Sequence, residues 1–277
     1  MIEYRLEKLL DLEYYTEGPA IDREGNLFFT TLTGQKILQW LPGDGGRVWA
    51  DGDCPNGQVI MSNGEHWFCE SRTGCISAYH SDGSFKAKII DGQCAGFSFS
   101  TPNDLITDTE GSLFFTESVR KEGKVFMVTS DGRERLIAGG IDYANGLALN
   151  PSGDILYVAE SYGNRVLAFP LTEEAGNNTG HRILIDLPSH SSGDPLKNLP
   201  DGLAADLEGR IWVAHYGMQA IQVISPEGVL LHTIDTGLPL TSNLAFIKDT
   251  PGKKELLVTG GYAEPGPGAA LILTVDF

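Results

Sequence analysis

Six copies of one short pattern run along the chain, and that periodicity limits its fold more than any other feature. The copies are EGPAIDREGNLFFTT from Glu17, NGQVIMSNGEHWFCES from Asn56, NDLITDTEGSLFFTES from Asn103, NGLALNPSGDILYVAES from Asn145, DGLAADLEGRIWVAHY from Asp201 and SNLAFIKDTPGKKELLVTGG from Ser242. Their first residues stand about 40 to 56 positions apart. Each copy holds a short apolar strand, a turn such as D-x-E-G or P-S-G-D, and a second strand rich in aromatic and β-branched residues, which reads as a β-hairpin. A third strand follows in GQKILQWLPGDG, GCISAYHSDG, GKVFMVTSDG, NRVLAFPL, QAIQVISPEG and AALILTVDF, and a more variable fourth in RVWAD, AKIID, RERLIAGG, HRILIDL and LLHTID.

Four antiparallel strands in a unit of about 46 residues match a propeller blade, so the expectation is an all-β, six-bladed β-propeller spanning residues 1–277 as one domain. The sixth repeat supplies three strands, and YRLEKLLDLE near the N-terminus is expected to add the fourth and close the ring. A β-solenoid would need shorter, more uniform repeats. The polar, Gly-rich stretches TEEAGNNTG and SHSSGDPLKN read as loops on the fourth and fifth blades.

The first strand of a blade lines the central channel, which places the opening residue of each repeat at one mouth. Around the ring these are Glu17, Asn56, Asn103, Asn145, Asp201 and Ser242, and every one carries a side-chain oxygen. Turn chemistry accounts for N-G and D-G but not for a Glu at the equivalent place, nor for two carboxylates converging on one axis, where they repel unless a cation lies between them. Oxygen donors alone suit one hard divalent cation: Ca²⁺ first, then Mg²⁺ or Mn²⁺, with Zn²⁺ open. The second strand returns to the same mouth with Thr31, Glu70, Glu117, Glu160 and His215, expected to wall a pocket. His215 reads equally as a hydrogen-bonded strand end or as a substrate or proton contact. No G-x-S-x-G elbow and no phosphate-binding glycine motif competes with this ring.

A formal net charge of −17 disfavours nucleic acid as a partner. No apolar run approaches the roughly 20 residues that cross a bilayer, and the acidic N-terminal stretch lacks a signal-peptide core, so no membrane association and a cytoplasmic location are expected. Cys54, Cys69, Cys75 and Cys94 lack C-x-x-C spacing and read as reduced thiols. Oligomeric state is not legible.

E-G-P at Glu17, P-N-D at Pro102 to Asp104, N-G-L at Asn145 and P-D-G at Pro200 to Gly202 occur in an order, one blade between successive pieces, that resembles the SMP-30/gluconolactonase/LRE-like family. The resemblance covers essentially the whole chain. It implies a cation held by Glu17, Asn103, Asn145 and Asp201, with calcium usual in the family and zinc or manganese active in some members. It also implies hydrolysis of a lactone, most often a sugar lactone. The expected mechanism has the substrate carbonyl on the cation and Asp201 taking the proton from the attacking water, with Thr101, Asn103, Glu117 and His215 orienting sugar hydroxyls. Thr101 stands where some members carry an Arg. A phosphotriesterase-like hydrolase with the same metal and a non-enzymatic calcium-binding propeller are the alternatives.

Overall fold

The structure, a computed structural model, describes residues 2–41, 43, 45–171 and 180–277. Six four-stranded antiparallel sheets form the blades of a propeller. The innermost strands, in blade order, are Thr16–Ile21, Pro55–Ile60, Pro102–Thr107, Ala144–Leu149, Leu199–Ala205 and Leu240–Thr250. In blades 1 to 5 the chain runs outward through each sheet in sequence order. Blade 6 is completed on its outer edge by Glu3–Leu12, which pairs antiparallel with Gly268–Asp276 from Glu3↔Asp276 to Leu12↔Gly268. The closure expected from the sequence is therefore present. A small extra pair, Gln93–Cys94 with Phe97–Ser98, and a 3-10 turn at Pro195–Lys197 were not foreseen. TEEAGNNTG lies, apart from Gly180, outside the described residues.

Middle strands are sandwiched between two neighbouring sheets, so both of their faces must be apolar. Phe114 joins a cluster with Leu156 and Val158 of blade 4, and the next residue, Phe115, points the other way into a cluster with Cys69 and Ile76 of blade 2. This explains the F-F, I-W-V and L-Y-V runs: they are strands buried on both sides. Apolar clusters of this kind fill the gap between every neighbouring pair of blades. The turns follow from local chemistry. At the blade 3 hairpin, Asp108 Oδ1 accepts from the Glu110 and Ser112 amides at 2.9 and 2.7 Å, while Gly111 takes φ +83°. All four cysteines are free thiols, and no helix among the described residues is long and apolar enough to cross a membrane.

The closing strand packs on both of its neighbours. Leu6 lies against the cluster shared by blades 5 and 6, and Leu9, Leu10 and Leu12 lie against the one shared by blades 6 and 1. Deleting residues 1–11 removes Leu6, Leu9 and Leu10 and exposes the clusters they cover together with the edge of Gly268–Asp276. We expect a loss of about 4 kcal/mol or more, seen as a fall of about 8 °C or more in the melting midpoint. A cooperative transition at the full-length temperature would contradict the closure.

Candidate functional site

Every innermost strand breaks register at the same place. The shifts fall between Glu17 and Ala20, Pro55 and Gln58, Pro102 and Leu105, Ala144 and Leu147, Pro200 and Leu203, and Thr241 and Asn243. Such a bulge bends a strand and re-aims a side chain, and in blades 2 to 5 it encloses the opening residue of the repeat, which faces the channel mouth. Glu17, Asn56, Asn103, Asn145 and Asp201 all line one cavity of about 290 Å³. The residue after the opening one is glycine in four blades because the next inner strand passes against it. A Cβ on Gly146 would stand 2.3 Å from the Asp201 carbonyl oxygen, and one on Gly202 would stand 2.1 Å from Asn243 Oδ1. Blades 3 and 6 carry Asp104 and Asn243 instead, and these two side chains fill the channel beneath the cavity.

Hydroxyls set the opening residues in place. Ser71, Ser118, Ser161 and Ser242 each donate across a blade gap to the carbonyl preceding the next ring residue: Pro102 at 2.7 Å, Ala144 at 2.6 Å, Pro200 at 2.7 Å and Thr16 at 2.8 Å. With its proton used this way, Ser161 Oγ accepts from Asn145 Nδ2 at 3.1 Å, which fixes the amide's orientation and leaves its oxygen as the remaining donor. The E-S dipeptides at 70–71, 117–118 and 160–161 are the sequence trace of these latches. Ser242 is one of them and not a ring member: its hydroxyl serves the Thr16 carbonyl, and Asn243 reaches inward instead.

The return-strand residues do not wall the cavity. Glu70, Glu117 and Glu160 accept from the Asp53, Ser100 and Asp142 amides at 2.6, 2.8 and 2.8 Å, pinning the segment that enters their own blade. Glu117 is further paired with Lys124 at 2.5 Å and Glu160 with Arg165. His215 is buried between Asn164 Oδ1, 3.0 Å from Nε2, and Gln222 Nε2, 3.3 Å from Nδ1, and burial lowers its pKa to about 4. Thr31 exchanges hydrogen bonds with the Lys36 backbone, and half-buried Thr101 lies with its hydroxyl 3.4 Å from that of Ser100. Of the expected substrate contacts, only Asn103 borders the cavity; Thr101, Glu117 and His215 do not. The walls come instead from Tyr15, Tyr143, Tyr162, Tyr216 and Glu264. Tyr15, Tyr143, Tyr162 and Glu264 lie in the segments between repeats and at hairpin tips, where periodicity carries no signal, whereas Tyr216 ends the fifth repeat at the position that is Ser71, Ser118 and Ser161 in blades 2 to 4.

The cavity holds buried acid. Burial, aided by the Asp104 charge and opposed by the Gly18 amide, pushes the Glu17 carboxyl up to about 8. Burial and then the charges of Glu17, Asp104 and Glu264 raise Asp201, and burial raises Asp104 to about 6. One Glu17 oxygen accepts from Gly18 N at 2.9 Å and Asn243 Nδ2 at 3.2 Å, so the other is free for a ligand. Among the described residues no three His, Cys, Asp or Glu side chains cluster closely enough to hold an ion by themselves. A cation at this mouth would be held by two carboxylates with the amide oxygens of Asn103 and Asn145, a donor set that fits a hard divalent ion and would relieve the repulsion between Glu17 and Asp201.

Residues 15–261 match the SMP-30/Gluconolactonase/LRE-like region. The chain belongs to this family. It is 27% identical to the gluconolactonase of Zymomonas mobilis over 87% of its own length and 78% of that protein. It is 26% identical to lactonase drp35 of Staphylococcus haemolyticus, over 97% of this chain and 85% of that one. Its fold superposes on a Xanthomonas campestris gluconolactonase with a TM-score of 0.81 at 25% identity, covering 99% of this chain and 90% of the other. The names of these relatives make the SMP-30/gluconolactonase family one of lactone-hydrolysing propellers.

A raised carboxyl favours the folded state only while it keeps its proton. The contribution of Glu17 is complete below its ordinary value of 4.5 and is lost as pH rises toward about 8. In chelator, the melting temperature should therefore fall between pH 5 and pH 8.5, and millimolar calcium should abolish most of that fall. Glu17→Gln should flatten the slope in chelator. An unchanged slope in this variant would show that the acid is titrating elsewhere.

Proposed function

We propose that the protein is a metal-dependent hydrolase that opens a lactone, with a sugar lactone as the preferred class and calcium as the first-choice ion. The observation that carries this reading is the convergence of Glu17, Asn103, Asn145 and Asp201 on one cavity through oxygen donors alone. Similarity to proteins named gluconolactonase and lactonase supports the chemistry.

A divalent cation bound there supplies the positive charge that a lactone carbonyl needs as its oxygen becomes an oxyanion. Glu17, Asn103 and Asn145 hold that charge in place. Asp201 takes the proton from the attacking water. Water oxygen then adds to the acyl carbon, the ring C–O bond breaks, and the ring oxygen leaves as a hydroxyl on receiving a proton, so the product is the open hydroxy acid. Tyr15 and Tyr143 remain protonated near neutrality, because burial and then the charge of Asp201 push Tyr15 up and Tyr143 up to about 12. They act as hydroxyl donors and as apolar ring faces for a polyhydroxylated substrate. His215 has both nitrogens engaged and stands outside the cavity lining, so it does not serve as the base.

Glu17→Ala and Asp201→Ala should each abolish tight calcium binding in calorimetry while leaving the β-rich circular dichroism spectrum intact; wild-type affinity in both variants would overturn the ligand set. Asp201→Asn keeps an oxygen for the cation but no proton acceptor. Its turnover of an aldonolactone at saturating metal, corrected for spontaneous opening, should fall about 100-fold or more. Near-normal turnover would move the proton elsewhere.

A further inference from the structure

Glu264 borders the same cavity from outside the repeat pattern, on the hairpin tip between Lys253–Gly261 and Gly268–Asp276. Its loop is clamped. Tyr15 N donates to Pro265 O at 2.9 Å, Tyr262 N donates to Pro267 O at 2.9 Å, and Gly266 lies so tightly on Glu13 that a Cβ would stand 1.9 Å from its carbonyl oxygen. The carboxylate is thus presented at the mouth by fixed backbone.

The charge balance of the cavity follows. Its lining carries three carboxylates, Glu17, Asp201 and Glu264, and no Lys, Arg or His. A divalent cation balances two of them, and one negative charge remains, with Asp104 adding another below. The neighbouring cation Arg120 is stacked 3.5 Å over the Tyr162 ring and is already paired with Asp142 at 2.7 Å. The lining thus offers no cationic side chain to a phosphate or carboxylate on a substrate. The four tyrosines instead offer hydroxyls and ring faces to neutral, hydroxyl-rich rings.

We propose that Glu264 is a specificity residue, restricting the site to uncharged polyhydroxy lactones by repelling those that bear an anionic substituent. The substrate class rests on the lactone-hydrolase reading; the charge discrimination does not.

The test compares kcat/KM for D-glucono-1,5-lactone and its 6-phosphate in the cation-loaded protein. The neutral lactone should lead by about 100-fold or more, and Glu264→Gln should narrow that ratio about tenfold, chiefly through KM of the phosphate. Glu264→Lys should narrow it further, and 0.5 M salt should narrow it in the wild type by screening, where the Debye length falls to about 4 Å. A wild type that prefers the phosphate, or a ratio unmoved by both substitutions, overturns the proposal. Calorimetry with 1,5-anhydroglucitol and its 6-phosphate, which contain no lactone to open, separates the two ideas. Discrimination that relaxes in Glu264→Gln without any lactone turnover supports the charge filter and removes the lactonase reading. Turnover with discrimination unmoved by the substitution does the reverse, and binding of neither probe counts against the filter.

Discussion

A hydroxyl in one blade gripping a carbonyl in the next is the interaction on which the rest of this structure depends. Ser71, Ser118, Ser161 and Ser242 each bond the carbonyl just before, or at the step into, a ring residue. A carbonyl buried there without a partner would cost about 1–3 kcal/mol, so the bonds fix both stability and the spacing of the inner strands. The adjacent glycines allow the strands to approach until no Cβ would fit. Together with a register break in every inner strand, they turn side chains that would otherwise alternate between faces toward a common axis.

The electrostatic state of the cavity follows from that geometry. Carboxylates pressed into a narrow buried mouth favour their protonated form unless a positive charge joins them, and the raised Glu17 and Asp201 carboxyls register this conflict. The protein tolerates it because the propeller distributes its stability over six apolar interblade clusters and a closed ring of sheets. Rigid strands, and not loops, carry the donors, so little reorganisation accompanies binding. The opposite end of the channel differs in character: Ile21, Ile60, Ile106 and Phe246 border it, and the converging ring acids do not.

Periodicity made the blades, the closing strand and the opening ring legible in the sequence, since each depends on a pattern repeated at blade spacing. The ring was readable because Glu17 has no turn-forming reason to occupy an N-G or D-G position. The return strand misled, because reaching the mouth is not the same as facing it: Glu70, Glu117 and Glu160 turn back to hold the amides of Asp53, Ser100 and Asp142. The E-S repeat was visible, but its meaning lies in a contact between blades, beyond any local pattern. Ser242 was aligned with the ring by sequence and falls among the latches in space. Tyr15, Tyr143, Tyr162 and Glu264 come from unrepeated segments, and Tyr216 replaces the serine of the other repeats, so only the folded ring brings them together.

The central claim is that Glu17, Asn103, Asn145 and Asp201 form one cation site. A crystal grown with Mn²⁺ and measured for anomalous scattering tests it directly, since that ion occupies oxygen-donor sites of this kind and its position is read independently of coordination assumptions. The account predicts one strong peak in the channel mouth, within about 2.0–2.6 Å of oxygens from these residues. A channel without a peak, or a peak bound elsewhere on the propeller, would contradict it.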